Sequence, residues 1–62
     1  MKVTTDRGVL EAPERLLNLI ALAASKTAKY YNETGDELIY RDMFNLSKNI
    51  FLALKKGGYY DN

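Results

Sequence analysis

Two long segments of the chain carry apolar side chains at a helical period, and this pattern constrains the fold more than any other feature. The segments cover residues 13–32 and 36–56, and only Glu33-Thr34-Gly35 separates them. At about 100° per residue, the apolar positions of each segment fall on roughly half of the circumference of an α-helix. The sequence therefore predicts two amphipathic helices of about 20 residues each.

Residues at the start of the first segment and at the break support these boundaries. Pro13 suits the first position of a helix, where its missing N–H costs no hydrogen bond, and Glu14 follows where the helix dipole favours an anion. Thr34 and Glu37 have the spacing of a capping box, while Asp36 is a competing N-cap. Either cap predicts that a new helix begins close to residue 36.

The end of the second segment is also marked. Lys55 and Lys56 complement the negative end of the helix dipole, and Gly57-Gly58 provides a left-handed stop. Because the two helices have matched lengths and a short connection, we predict an antiparallel helical hairpin over residues 13–58.

The residues outside the hairpin show no helical period. Residues 1–12 contain the β-prone Val3-Thr4-Thr5 and the turn-forming Asp6-Arg7-Gly8, which predicts an irregular arm that is either a short strand or disordered. Residues 59–62 form a tail in which Tyr59 and Tyr60 can fold back over the start of the first helix. The predicted fold class is thus all-α, a helical hairpin with a short N-terminal arm.

The chain is small and lacks the usual covalent and metal supports. Its 62 residues include neither cysteine nor histidine, so disulfides are impossible and common metal sites have no ligands. A domain under about 70–80 residues rarely gains more than ~3–5 kcal/mol from one core, and two half-apolar faces are wider than two helices can cover. We therefore predict a homodimeric four-helix bundle. The predicted oligomer interface consists of residues on both apolar faces: Leu17, Ile20, Ala24, Tyr31, Met43, Phe44, Ile50, Phe51 and Leu54.

The residue types available do not favour catalysis. Without histidine or cysteine, Ser–His–Asp and Cys–His mechanisms are excluded. The acids Glu33, Asp36 and Glu37 gather at the connection, where helix capping explains them and no pocket is expected.

The most apolar stretch, Leu16–Ala24, has nine residues, whereas a membrane span needs roughly 20. We expect a cytoplasmic protein with no catalytic residue, no cofactor and no metal site.

The charges are balanced in number but sorted along the chain. Nine Lys and Arg residues against eight Asp and Glu residues leave a net charge of +1, which gives no general argument for nucleic acid. However, Arg41, Lys48 and Lys55 recur at heptad spacing and form one outward stripe, a candidate for phosphate contacts. A solvated helix face explains the same spacing and is the favoured interpretation. Arg41 also has the i,i+4 spacing of an ion pair with Glu37.

Several leucines fall outside the apolar arcs of the two helices. Single exposed leucines are ordinary on protein surfaces, but several of them on so small a surface can also mark a partner contact. The candidates for contact with a partner are Leu19, Leu22 and Leu52, together with Leu38.

The function predicted from these features is that of a small regulatory interaction protein. In this hypothesis, a homo-oligomeric helical hairpin binds a protein or nucleic-acid partner through its outer helical faces. The alternative is a dimeric ribbon-helix-helix transcriptional regulator, in which paired N-terminal strands enter the DNA major groove. The β-prone arm and two helices favour that alternative. Against it, the first helix is too long, and Asp6 would share the DNA-facing strand face with Lys2 and Thr4.

Overall fold

A computed structural model describes residues 1–61 and shows two strands followed by two helices. The strands are β1 (Lys2–Thr5) and β2 (Gly8–Glu11), and the helices are α1 (Glu14–Thr34) and α2 (Glu37–Lys56). The helices pack against each other as a helical hairpin, and the strands form a small antiparallel sheet at the N-terminus. The predicted helical hairpin is confirmed. The predicted all-α class is incomplete, because the N-terminal arm forms a β-hairpin. The predicted tail ends at Asn62, which lies outside the described residues.

The β-hairpin follows from alternation along the arm. Val3 pairs with Leu10, and Thr4 pairs with Val9. Val3 is buried and Leu10 packs against the core, whereas Thr4 and Val9 point to solvent. The predicted turn at residues 6–8 is confirmed, and Gly8 supports it with a φ of +123° that few other residues adopt. The arm is therefore a β-hairpin of two paired strands, where the sequence predicted one short strand or disorder.

Helix α1 ends later than predicted. Gly35 has a φ of +85°, in the left-handed region, and its N–H donates to the Tyr31 carbonyl. The N–H of Asp36 donates to the same oxygen at 3.0 Å. Because Gly35 is the first residue in the connection that adopts this conformation at low cost, the helix continues beyond Asn32 to Thr34.

Asp36, and not Thr34, caps helix α2. The Asp36 side chain accepts a hydrogen bond from the Ile39 N–H at 3.2 Å. Thr34 is the last residue of α1, and its hydroxyl donates back to the Tyr31 carbonyl at 3.1 Å. The capping-box prediction was wrong because Thr34 is still helical and so cannot serve as an N-cap.

Helix α2 ends in a Schellman motif. The Gly58 N–H donates to the Lys55 carbonyl at 3.1 Å, and the Tyr59 N–H donates to the Leu54 carbonyl at 3.0 Å. Gly58 has the left-handed φ of +80°, whereas Gly57 has an ordinary φ of −80°. The predicted stop is confirmed, with Gly58 as its left-handed residue.

The core joins both helices and the first strand. Val3, Leu17, Ala21, Ile50 and Leu54 form one buried cluster. The small Ala21 of α1 lies in the same cluster as the large Ile50 and Leu54 of α2, and this permits close packing of the helix axes.

This core changes the predicted dimer interface. Four of the residues assigned to it are covered within a single chain: Leu17, Ala24, Ile50 and Leu54. The correction has a physical cause, since each helix buries the other's central residues and β1 adds Val3 over them. These four residues therefore have almost no exposed surface to offer a second copy.

Candidate interaction surface

The two sides of the helical hairpin differ in what covers them. On one side the β-hairpin packs over the helices, with Leu10 and Leu46 against the core. Arg7, in the turn between β1 and β2, donates to Asp42 of α2 at 2.5 Å. This ion pair holds the β-hairpin against the second helix. On the other side the helices enclose a shallow groove of 540 Å³ that no β-hairpin residue lines.

We call this groove side the open face. Helix α1 lines it with small, polar and basic residues: Ser25, Ala28, Lys29 and Asn32. Helix α2 lines it with larger residues: Tyr40, Phe44, Ser47, Lys48, Phe51 and Leu52. Leu22 precedes Ser25 by three residues and therefore borders the same side of α1.

The floor of the open face is largely aromatic and apolar. Phe44 is 49% exposed and Leu52 is 54% exposed. The ring of Phe44 lies 5.8 Å from that of Tyr40, and the ring of Phe51 lies 6.5 Å from that of Tyr60. Exposed apolar surface costs about 25 cal/mol for each Å² that could be buried, so this face has a driving force for association.

The rim of the open face is basic. Lys29 on α1 and Lys48 on α2 line its two sides, and none of the described residues lining it is acidic. Lys55 follows Lys48 by seven residues and continues the same side of α2. The candidate nucleic-acid contacts Arg41, Lys48 and Lys55 thus lie beside the aromatic floor, and all three are exposed. Arg41 donates to Glu37 at 2.8 Å, as predicted, and both side chains of this pair are largely exposed, so the pair holds each of them only weakly.

The C-terminal tyrosines close one end of the open face. The Tyr60 hydroxyl donates to the Asn18 side-chain oxygen at 2.6 Å, and its ring meets the Tyr59 ring edge-on at 5.1 Å. Partial burial raises the pKa of Tyr60, with a smaller contribution from the neighbouring Tyr59. The predicted fold-back over the start of α1 is confirmed.

The leucines predicted to lie outside the apolar arcs are all exposed, but they do not form one patch. Leu52 lines the open face and Leu22 borders it. Leu38 lies at the start of α2 and is 79% exposed. Leu19 lies on the outer side of α1 with Leu16, which is also exposed.

The remaining predicted interface residues divide between the two sides. Phe44 and Phe51 lie on the open face. Ile20 and Met43 instead line a 260 Å³ cavity beneath the β-hairpin turn. Tyr31 is partly exposed near the helix connection, where its ring meets Tyr30 at 5.1 Å. The β-hairpin covers one of these two groups and leaves the other open. The sequence did not predict it, because the alternation of apolar and polar residues extends over only four residues per strand.

The ribbon-helix-helix alternative needs a strand that pairs with a second chain. In this structure β1 pairs with β2 of the same chain, and α1 extends over 21 residues. The solvent face of the hairpin includes the Lys2–Glu11 pair, whose charged atoms lie 4.0 Å apart. An acidic side chain therefore shares the surface that would face DNA.

Three further observations concern ligands and relatives. Within residues 1–61, no group of three acidic side chains is close enough to hold a metal ion. Neither described helix has a stretch that is both long and apolar enough to cross a membrane. Comparisons with protein-family models, characterised proteins and solved structures found no match.

Proposed function

We propose that the protein is a non-catalytic regulatory interaction protein that acts as a homodimer of helical hairpins. The observation that carries this proposal is the open face, an apolar and aromatic side of the hairpin that the rest of the chain leaves uncovered. Two copies that cover each other's open faces form a four-helix bundle, and the β-hairpins then lie on its outer sides.

The size of the chain supports self-association. A standard interface buries about 800 Å² of each partner, and the chain exposes 4735 Å², so roughly one-sixth of the surface is enough. Covering Phe44, Phe51 and Leu52 removes apolar area from water, while the lysine stems at the rim can lie along the interface with their charges in solvent.

A second surface stays accessible in such a dimer. The outer side of α1 carries four exposed residues at successive spacings of three, four and seven positions: Leu16, Leu19, Ala23 and Tyr30. We call these residues the outer stripe. Its apolar character and the net charge of +1 favour a protein partner over nucleic acid. The leucine predicted to contact a partner there is Leu19.

The test of self-association compares two matched substitutions. Phe44→Lys places a further positive charge on the basic open face, whereas Leu38→Lys places one on an exposed site away from it. By sedimentation equilibrium, we expect a dimer for the wild type and for Leu38→Lys, and a folded monomer for Phe44→Lys. Circular dichroism checks that both variants keep their helices, and a wild-type chain that stays a folded monomer up to millimolar concentration overturns the proposal.

A ribbon-helix-helix regulator has weaker support, since the strands pair within one chain and α1 is long. Titration with random duplex DNA at low salt tests it directly, because contacts to phosphate dominate such binding and weaken as salt rises. Binding that Thr4→Glu abolishes in a folded dimer would favour this alternative. Absence of binding at low salt removes it.

A further inference from the structure

We infer that the second copy lies antiparallel on the open face, so that the helix connection of each protomer meets the basic end of α2 in its partner. This inference rests on the proposed self-association and adds to it the orientation and the pairing of side chains. It follows from the order of charged and aromatic residues along one side of α2.

That side of α2 carries a regular stripe. Its residues are spaced alternately by four and three positions, the spacing that keeps side chains on one face of a helix in a two-helix contact. In chain order they are Glu37, Arg41, Phe44, Lys48, Phe51 and Lys55. Phe44, Lys48 and Phe51 line the groove, which places this stripe at the open face.

The charges of the stripe differ between its two ends. Glu37 lies in the first turn of α2 and Lys55 lies in the last turn. When two antiparallel copies of the stripe are aligned at its midpoint, residue 46, Glu37 comes opposite the partner's Lys55 while it keeps its i,i+4 pair with Arg41 of its own helix. Two-fold symmetry forms this pair twice, and each helix dipole also meets the opposite end of its neighbour.

The central residues match in the same alignment. Phe44 comes opposite the partner's Lys48, so that an ammonium group meets an aromatic face and its methylene stem covers apolar area. Lys29 lies on the α1 rim near the helix connection. In this alignment it faces the end of the partner that is far from the partner's own connection, so the two copies of Lys29 stay apart. The basic rim is therefore compatible with a second copy in this orientation.

A parallel arrangement brings like charges together. It places Lys48 against the partner's Lys48, Lys55 against the partner's Lys55, and Glu37 against the partner's Glu37. Each of these pairs brings like charges together, whereas the antiparallel alignment pairs opposite charges at both ends of the stripe. Charge complementarity thus selects the antiparallel orientation.

Cysteine cross-linking measures the orientation because the natural chain contains no thiol. Glu37→Cys and Lys55→Cys variants are prepared separately, then oxidised alone and as a mixture. We expect a mixed disulfide between the two variants and little self-linkage of either, since disulfides form only where Cα atoms approach within about 7 Å. Lys56→Cys, which lies one residue further along and faces away from the stripe, is the matched control and should not link to Glu37→Cys.

The outcomes separate the orientation from the dimer itself. Self-linked Glu37→Cys and Lys55→Cys indicate a parallel dimer, and a dimer with no linkage in any sample indicates a different contact surface; either result overturns the antiparallel inference alone. A chain that sediments as a folded monomer overturns the proposed function as well.

A charge exchange gives an independent measurement. Lys55→Glu places carboxylates opposite each other in the antiparallel dimer and should raise the dimer dissociation constant about tenfold. Glu37→Lys combined with Lys55→Glu should restore most of that loss, whereas Lys56→Glu should change it little. Failure of the double variant to recover affinity, in a protein that keeps its helicity, contradicts the pairing.

Discussion

The β-hairpin side and the open face belong to the same pair of helices, but only one of them is covered by the chain itself. On the hairpin side, Val3 is 2% exposed, and the Arg7–Asp42 ion pair holds the turn against α2. On the open face, Phe44 is about half exposed. Two helices cannot bury two wide apolar faces, so one side requires a third element and the other remains available for association.

The largest expected effect tests the core that both sides share. Ile50 is fully buried, and Ile50→Asp places an unpaired carboxylate among apolar side chains. We expect a loss of several kcal/mol in unfolding free energy, about 3–5, which is enough to unfold most domains of this size. Urea denaturation followed by circular dichroism measures the loss, and a folded protein at neutral pH would show that another face of α2 lies inside.

A smaller change separates the hairpin side from ordinary surface. Val3 and Val9 lie on opposite faces of the same β-hairpin, and Val9 is 63% exposed. Val3→Ala should lower the unfolding free energy by roughly 2 kcal/mol, since it removes buried methyl groups and leaves a cavity.

Val9→Ala is the control for this measurement. It removes the same groups from solvent-exposed positions and should cost less than about 0.5 kcal/mol. Equal effects of the two substitutions would mean that the β-hairpin is not docked on the helices in solution.

The difference between the two sides also explains which features the sequence could predict. Both helices, the Asp36 cap considered as an alternative and the glycine stops depend on local patterns of a few residues, and the structure contains them. The helical period also identified the apolar arcs. It could not say which part of each arc the chain covers itself, because that depends on contacts between Val3 and residues more than ten positions away.

The candidate surface was predicted only in part for the same reason. The heptad spacing of Arg41, Lys48 and Lys55 was visible in the sequence, and so was the exposure of Leu52. That Phe44 and Phe51 lie beside this stripe, while Ile20 and Met43 lie under the β-hairpin, required the three-dimensional packing. A period of 3.6 residues places side chains around one helix but does not identify the neighbour they face.

The smallest expected effect concerns the border of the open face, where the tail meets α1. Tyr60→Phe removes the hydrogen bond to Asn18, and because the site is half exposed the loss at neutral pH should be below about 1 kcal/mol. The pKa of Tyr60 is raised in the folded chain, mainly by partial burial. Its contribution to stability is therefore fully present below the ordinary tyrosine pKa and is lost as pH rises through the folded value.

We thus expect wild type and Tyr60→Phe to differ in unfolding free energy at neutral pH and to converge as the solution becomes strongly alkaline. Urea denaturation at a series of pH values measures this difference, with Tyr30→Phe at the opposite end of the hairpin as the control. Equal unfolding free energies of wild type and Tyr60→Phe at neutral pH would show that the phenol does not contact α1 in solution. The tail would then leave that end of the open face uncovered, and the surface available to a second copy would be longer than the groove between the helices.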